Sequence, residues 1–299
     1  MLAIQFLVGQ MNVPLRQLAG FLRTWQDARL SMERISEWQQ LPDEEQPVPY
    51  PTDWQAPQDI TISHLSFAYN PLVGNILQDI SCTLPAGKTT AIVGASGSGK
   101  TTFIKLLLGF YPPTHGHIQI GGSTLKEMGL KKWRQQCGAV LQDGHIFSDS
   151  LLNNIIEGQG SPNREQLQAA LTISCLQEFV QKLPQGLQTQ IGVQGSGISQ
   201  GQRQRILMAR AVYKQPHYLF LDEATNALDA QHEKDLLQNL ETFANGKTVV
   251  VVAHRLSTIR HADHIILIHE GRIAEQGTHE TLIQAKGLYY QLVQNQLSV

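Results

Sequence analysis

A glycine-rich stretch in the first half of this 299-residue chain constrains its fold more than any other feature. Residues 89–102, TTAIVGASGSGKTT, combine a short apolar run with a G-x-x-x-x-G-K-[ST] loop, and a helix is predicted to follow over residues 103–108. The glycines let backbone N–H groups converge on one anion, and the positive end of the following helix favours negative charge there. The stretch therefore predicts a strand, a phosphate-binding loop and a helix that together bind a nucleoside triphosphate.

The residues of this loop have distinct chemical roles. The Lys100 side chain is long enough to reach the β- and γ-phosphates, and the Thr101 hydroxyl can ligate Mg²⁺. The remaining residues offer backbone N–H groups or small side chains to the phosphate oxygens. The predicted nucleotide contacts of the loop are Gly94, Ala95, Ser96, Gly97, Ser98, Gly99, Lys100, Thr101 and Thr102.

A second stretch supplies carboxylates for such a site. Residues 217–229, HYLFLDEATNALD, predict a hydrophobic strand that ends in Asp222 and Glu223. In open α/β folds, ligands bind at the carboxyl edge of the sheet, which is where this strand would deliver the pair. Asp222 suits the coordination of Mg²⁺, and Glu223 can polarise the attacking water. The pair predicts metal-assisted hydrolysis at this edge.

Beyond about residue 58, short apolar strands alternate with helical stretches. Alternating apolar residues from Ile60 to Tyr69 predict a first strand, and residues 76–84 a second. This order predicts an α/β domain around a mostly parallel sheet, with antiparallel strands near its start. The formal net charge of −2 gives no general attraction to nucleic acid. The three cysteines have no metal-like spacing and suit burial in a reducing compartment.

The first 57 residues follow a different pattern. Residues 41–57 contain five prolines and an acidic run, which predicts an extended linker. Before them, apolar residues from Leu18 to Trp38 recur at steps of three and four and predict a helix. No apolar run approaches the ~20 residues that span a bilayer, and no signal peptide is recognisable. The helix is either amphipathic and packed on its own domain, or the end of a membrane domain whose spans precede Met1.

With these motifs, the chain resembles the ATP-binding cassette family over about residues 58–299. Gln142, after the predicted strand 138–141, matches the glutamine loop of that family, and His254 matches its switch histidine. Residues 198–202, ISQGQ, match the family signature, which is usually LSGGQ. Small polar residues here suit the start of a helix that closely approaches a triphosphate, and Gln200 is predicted to lie in the first turn of that helix. We call residues 198–202 the signature segment.

The resemblance implies a fold, cofactors and a set of site residues. The fold is a P-loop NTPase, in which a RecA-like parallel sheet core carries an antiparallel β subdomain and a helical subdomain, preceded here by an N-terminal helix. The cofactors are ATP and Mg²⁺. The implied catalytic residues are Glu223, His254, Gln142 and Lys100, and the implied metal ligands are Thr101, Gln142 and Asp222. Further nucleotide contacts beyond the phosphate loop are Tyr69, which would stack on adenine, Ser199, Gly201, Gln202 and Asp229.

The family also implies partners and a location. Two ATP-binding domains, in a homodimer or heterodimer, would enclose ATP between the phosphate loop of one and the signature segment of the other. Such domains act with a transmembrane domain on the cytoplasmic side of the cell (inner) membrane, and nucleic acid is not a partner. Residues 1–40 would then be the end of the transmembrane domain or a helical extension, 41–57 a linker and 58–299 the ATP-binding domain.

Several residues indicate which branch of the family the chain resembles. Residues 189–192 resemble the loop by which exporters contact their membrane domain, although Val193 replaces a common glutamate. Gln200 and Asn226 together are typical of peptidase-containing exporters of bacteriocins and other double-glycine leader peptides. We therefore expect ATP hydrolysis that powers export. A soluble or importer-type ATPase with a separate membrane partner is the alternative, and residues 1–57 argue against it. The intact catalytic residues argue against a non-hydrolysing regulatory module.

Overall fold

The computed structural model describes residues 2–40, 56–157, 160–192, 197–224, 230–253 and 256–297. The chain divides into two compact units, Met1–Gln46 and Pro47–Val299. In the first unit, helix α1 (Leu2–Gln39) contains Pro14. Its large apolar side chains that are described, from Phe6 to Trp38, are mostly exposed. None of the described helices combines the length and apolarity that a membrane span requires.

The second unit contains strands and short helices that alternate along the chain. Its described strands are β1 (Ile60–Phe67), β2 (Leu77–Leu84), β3 (Thr89–Val93), β4 (His115–Ile120), β5 (Ser123–Thr124), β6 (Cys137–Val140), β7 (Asp149–Ser150), β8 (Gln190–Ile191), β9 (Tyr218–Asp222), β10 (Thr248–Val252), β11 (His264–His269) and β12 (Arg272–Gly277). Its described helices are α2 (Lys100–Leu107), α3 (Leu125–Met128), α4 (Leu130–Gln135), α5 (Leu151–Ile156), α6 (Arg164–Ile173), α7 (Gln177–Lys182), α8 (Gln200–Tyr213), α9 (Ala230–Ala244), α10 (Leu256–Arg260), α11 (His279–Ala285) and α12 (Leu288–Leu297), with a 3₁₀ turn at Gly186–Gln188.

The central sheet has the order β12-β11-β3-β10-β9-β6, and its neighbours are parallel except at the β12 edge. Its inner strands are mostly apolar because side chains on both faces are buried. Successive residues point to opposite faces, so Ala91 and Val93 pack in one hydrophobic core and Ile92 in the other. The sheet is therefore the middle layer between two cores.

A second, antiparallel sheet has the order β2-β1-β4-β5. Its buried side chains share one core with the apolar face of α2. The other core is covered by α5, α6, α8 and α9. A third pair, β7 with β8, joins residues 149–150 to residues 190–191. The mostly parallel sheet, the added antiparallel sheet and the N-terminal helix confirm the predicted α/β class.

Two predicted element boundaries were wrong by a few residues. Strand β1 ends at Phe67, so Tyr69 lies in the turn that follows rather than in the strand. Helix α2 begins at Lys100, three residues before the predicted helix 103–108, because left-handed Gly99 directly precedes it. Helix α8 begins at Gln200 with Ser199 as its N-cap, which confirms the prediction that Gln200 lies in the first helical turn.

Candidate nucleotide-binding site

The phosphate loop connects the carboxyl end of β3 to the first turn of α2, as the sequence predicted. Gly94, Gly97 and Gly99 have φ angles of 149°, 79° and 103°, a region that residues with side chains rarely adopt. A Cβ atom at Gly94 would collide with the backbone carbonyl of Ile268, and one at Gly99 would lie 2.6 Å from Leu77 Cδ2. Packing and backbone conformation therefore both require glycine at these two positions.

The Lys100 ammonium lies inside the curve of this loop. Its Nζ donates hydrogen bonds to the carbonyls of Gly94, at 2.9 Å, and Ala95, at 2.8 Å. Burial lowers the pKa of Lys100, whereas the nearby carboxylates of Glu223 and Asp222 raise it. A triphosphate would offer the same ammonium charged acceptors, which form stronger hydrogen bonds than carbonyls do.

Asp222 is the last residue of β9 and is only 1% exposed. Within the described part of the chain, neither of its carboxylate oxygens has a hydrogen-bond partner at normal geometry. Burial raises the pKa of Asp222, although the neighbouring Thr101 hydroxyl favours the charged form and lowers it. A buried carboxylate without a full set of partners is costly unless a cation neutralises it.

The donors around Asp222 fit Mg²⁺. This ion takes oxygen ligands, keeps several waters and is usually held by one or two carboxylates together with substrate phosphates. Among the described residues no group of three or more histidine, cysteine or acidic side chains could hold a metal, so a site of the zinc type is not formed there. The Thr101 hydroxyl and the Asp222 carboxylate are the two groups that the fold brings together for this role.

Glu223 leaves the sheet immediately after Asp222 and has a φ angle of 53°. Its Oε2 atom accepts a hydrogen bond of 3.4 Å from Nε2 of Gln142, which follows β6. The fold thus brings together two residues that are 81 positions apart and that the sequence placed in one site. Asp143, the residue after Gln142, forms a 2.9 Å ion pair with Lys105 of α2. This ion pair connects the Gln142 segment to the helix that follows the phosphate loop.

Tyr69 also lies beside the phosphate-loop helix. Its Oη is 3.4 Å from the Thr102 hydroxyl, and the residue is 48% exposed. The rings of Phe67 and Tyr111 meet it edge to face, with centroids 4.9 and 5.1 Å away. Sequence reasoning missed Tyr111. The signal that could have identified it was the aromatic pair Phe110 and Tyr111 shortly after α2. The arrangement presents a half-exposed, orientated aromatic face.

The signature segment forms the N-terminus of α8. Ser199 Oγ accepts from the Gln202 backbone N–H at 3.2 Å, and Gln202 Oε1 accepts from the Ser199 N–H at 2.9 Å. This capping box leaves Gln200 as the first helical residue, outside the set of described residues with positive φ. Replacing the family's glycine by glutamine at this position therefore introduces no backbone strain.

Further polar residues of α8, which sequence reasoning did not single out, contact the segments that contain Glu223 and Gln142. Gln204 Nε2 donates to the backbone carbonyl of Glu223 at 3.2 Å, and Arg203 Nε donates to the carbonyl of Gly144 at 3.1 Å. The predicted site residues His254 and Asp229 lie outside the described residues, as do Asn226 and Val193.

Comparison with known proteins gives a consistent family. The sequence model of the family described as ABC transporter matches residues 77–226. The chain is 38% identical to the exotoxin translocation ATP-binding protein PaxB of Pasteurella aerogenes, over 99% of this chain and 42% of that protein. It is 42% identical to the ATP-dependent lipid A-core flippase of Haemophilus ducreyi, over 80% of this chain and 41% of that protein.

Among solved structures, the chain is similar to a bacterial Atm1-family ABC exporter with ATP bound. The TM-score is 0.82 and the identity 34%, over 96% of this chain and 50% of that one. The chain thus spans less than half the length of these two curated relatives and half of the solved exporter chain.

Proposed function

The chain belongs to the ABC transporter family, and on that premise we propose that it is the ATPase part of a membrane exporter. The observation that carries the proposal is the meeting of five side chains at one edge of the sheet. Lys100 lies in the phosphate loop, buried Asp222 lies beside Thr101, and Glu223 lies within hydrogen-bond distance of Gln142. Such a set suits phosphoryl transfer to water.

In the proposed reaction, the backbone N–H groups of the loop and Lys100 hold the β- and γ-phosphates of ATP. Thr101, Asp222 and Gln142 would hold Mg²⁺, which would neutralise charge on the phosphates. Glu223 orients a water in line with the γ-phosphorus and accepts its proton. The water oxygen bonds to phosphorus as the bond to the bridging β–γ oxygen breaks, which gives ADP and phosphate. By family resemblance, His254 stabilises the developing charge.

We further propose that two ATP-binding domains, identical or different, complete each site. The signature segment caps its own helix, and the N-terminus of that helix is a favourable position for the γ-phosphate of a second copy. Ser199, Gly201, Gln202 and Asp229 would contribute from the partner. Adenine would stack on Tyr69, whose half-exposed ring supports this role.

The remaining assignments concern the membrane and the substrate. We propose that residues 1–40 continue a transmembrane domain, that 41–57 link it to the ATP-binding domain of residues 58–299, and that this domain faces the cytoplasm at the cell (inner) membrane. The similarity to PaxB across 99% of this chain supports this reading over an importer-type ATPase. Gln200 and Asn226 support a peptide substrate of the bacteriocin type, carried by an exporter with a peptidase domain.

The test is Glu223→Gln in the 299-residue chain. The amide keeps the size of the side chain but cannot accept the proton, so we expect ATP binding to persist and turnover to fall by ~10²–10⁴-fold. Steady-state phosphate release and an ATP-binding titration measure the two effects. Glu178→Gln, a change of the same type at an exposed residue of α7, is the matched control and should leave both unchanged. Turnover of Glu223→Gln near the parent rate would refute the proposed site.

A further inference from the structure

We propose that Gln204 is a positioning residue that holds Glu223 in its catalytic orientation. The contact is the 3.2 Å hydrogen bond that the Gln204 side-chain amide donates to the backbone carbonyl of Glu223. The inference rests on the proposed role of Glu223. It assigns to Gln204 no contact with ATP, because Gln204 acts through the backbone of its neighbour.

The backbone of Glu223 needs such support. Strand β9 pairs with β10 as far as Asp222, opposite Val252, and the chain then turns into a left-handed conformation at Glu223. Residues with a side chain rarely adopt this conformation, and it persists where surrounding groups hold it. The turn takes the Glu223 carbonyl out of the β9–β10 ladder, and the Gln204 amide meets it there.

Helix α8 is a rigid platform for this amide. From Ile206 to Tyr213 the helix is buried almost continuously in the core that also contains Leu219 and Leu221 of β9. Gln204 is half-buried, which limits the number of conformations that its side chain can adopt. Helix and strand therefore share one core, and the hydrogen bond joins them at the point where β9 ends.

The same helix holds the segment after Gln142. Arg203 donates to the carbonyl of Gly144, and Arg210 donates to the carbonyls of His145, at 2.9 Å, and Asn154, at 2.7 Å. Gln142 in turn donates to Glu223 Oε2. Helix α8 thus positions Glu223 from the backbone side through Gln204. It also supports the Gln142 segment, which contacts the carboxylate of the same residue.

This arrangement links two ATP sites through one helix. The N-terminus of α8 is the end that would meet ATP on a second copy, and Gln204 lies about one turn further along. A shift of the helix on closing around that ATP would move the Gln204 amide and, with it, Glu223. The site in one chain would then be organised by ATP bound on its partner.

The experiment compares Gln204→Met with Gln204→Lys in the full chain. Methionine keeps the length and the helix preference of glutamine but removes the donor. We expect kcat for ATP to fall about 10- to 100-fold, as for a misplaced catalytic group, with KM within about twofold of the parent. Lysine restores a donor of sufficient reach and should recover most of kcat.

Gln215→Met is the matched control. Gln215 follows the same helix, and its amide also donates to a backbone carbonyl, that of Val212, far along the helix from Glu223. Its kcat and KM should equal those of the parent. Thermal unfolding of every variant shows whether a change in kcat reflects a loss of folded protein.

A double variant separates this inference from the proposed function. If Gln204 acts through Glu223, adding Gln204→Met to Glu223→Gln slows turnover no further. A Gln204→Met variant as active as the parent, beside an inactive Glu223→Gln, would overturn the inference and leave the proposed function intact. The inference would also be overturned if Gln204→Met and Glu223→Gln reduced kcat multiplicatively in the double variant. It would be overturned as well if the lower kcat of Gln204→Met came with a lower Tm and Gln204→Lys did not restore it. An active Glu223→Gln would instead overturn the proposed function.

Discussion

At the carboxyl end of β9, the fold buries a carboxylate whose oxygens have no hydrogen-bond partner of normal geometry among the described residues. Burial raises the pKa of Asp222, so the folded protein without ligand binds a proton there more readily than the unfolded chain does. The charged form is therefore destabilising above the folded pKa, and this penalty disappears below the usual value of 3.8. Such a penalty is typical of functional sites, where residues required for activity often lower the stability of the fold.

We expect Asp222→Asn to raise the unfolding temperature of the protein at pH 7 without nucleotide or Mg²⁺. The amide has the same size and no charge, and each kcal/mol gained raises Tm by roughly 2–4 °C in a domain of this size. The gain in Tm should shrink as the pH falls through the raised pKa of Asp222 towards 3.8, because the parent carboxylate is then protonated. Mg²⁺-dependent ATP turnover of Asp222→Asn should be lost at every pH. Thermal melts from pH 7 to pH 4 measure the first effect.

Asp143→Asn is the control, because its expected effect on thermal stability at pH 7 has the opposite sign. The hydrogen bond from Lys105 lowers the pKa of Asp143, so the charged form stabilises the fold above the usual pKa and this stability is lost as the pH falls. The variant should melt slightly below the parent at pH 7, by a small amount because Asp143 is 66% exposed. A stability gain of Asp222→Asn as large at pH 4 as at pH 7 would contradict the assignment.

At the scale of elements, helix α8 combines three tasks along its length. Its first turn is closed by the capping box of Ser199 and Gln202, its middle contacts Glu223 through Gln204, and its remaining residues fill a core. These tasks explain why polar and small residues precede a continuous buried run. Gln200 belongs to the first task only, because it is the first helical residue and has no left-handed backbone that would require glycine.

We expect Gln200→Gly to change steady-state ATPase activity by less than about threefold, well under the ~1.4 kcal/mol that corresponds to a factor of ten. Glycine restores the common signature, and its lower helix propensity, up to ~1 kcal/mol in a helix interior, is partly offset near a capped end. Phosphate release by the variant and the parent, at equal protein concentration, is the measurement. A gain of tenfold or more would mean that the native signature is impaired, and a regulatory role would then replace the proposed one.

For the whole molecule, the proposed site is incomplete in one chain. The phosphate loop, Asp222 and Glu223 meet at one sheet edge, whereas the signature segment lies at the start of α8, where Ser199 and Gln202 cap the helix. In the proposed dimer, the γ-phosphate receives a second set of donors from the signature segment of the other chain. Association driven by ATP is the property that follows at this scale.

We expect Glu223→Gln to form dimers when Mg²⁺ and ATP are added, because ATP is then bound but not consumed. Adding Gly201→Asp should abolish this association by placing a carboxylate against the γ-phosphate of the partner. Light scattering or sedimentation with and without ATP distinguishes monomer from dimer. The control is Glu223→Gln with Gln215→Met, which should dimerise normally. ATP-dependent dimers of equal strength with Gly201→Asp would exclude the signature segment from the interface.

The sequence alone was sufficient to predict the phosphate loop, the Asp222–Glu223 pair and the α/β class. These features depend on local requirements that leave a trace in residue order. The conformations at Gly94 and Gly99 admit little other than glycine, and buried parallel strands need continuous apolar runs. Errors of a few residues at Tyr69 and Lys100 reflect boundaries that caps and turns decide, not periodicity.

The tertiary structure alone decided which distant residues meet. The contact of Gln204 with Glu223, the ion pair of Lys105 with Asp143 and the ring contact of Tyr111 with Tyr69 join segments whose neighbourhood depends on the strand order and on how each helix is rotated on the sheet. A glutamine on a helix or a tyrosine after one has no sequence pattern that specifies its partner. Local propensity determines an element, whereas the packing of whole elements in a shared core determines which side chains come within hydrogen-bond distance.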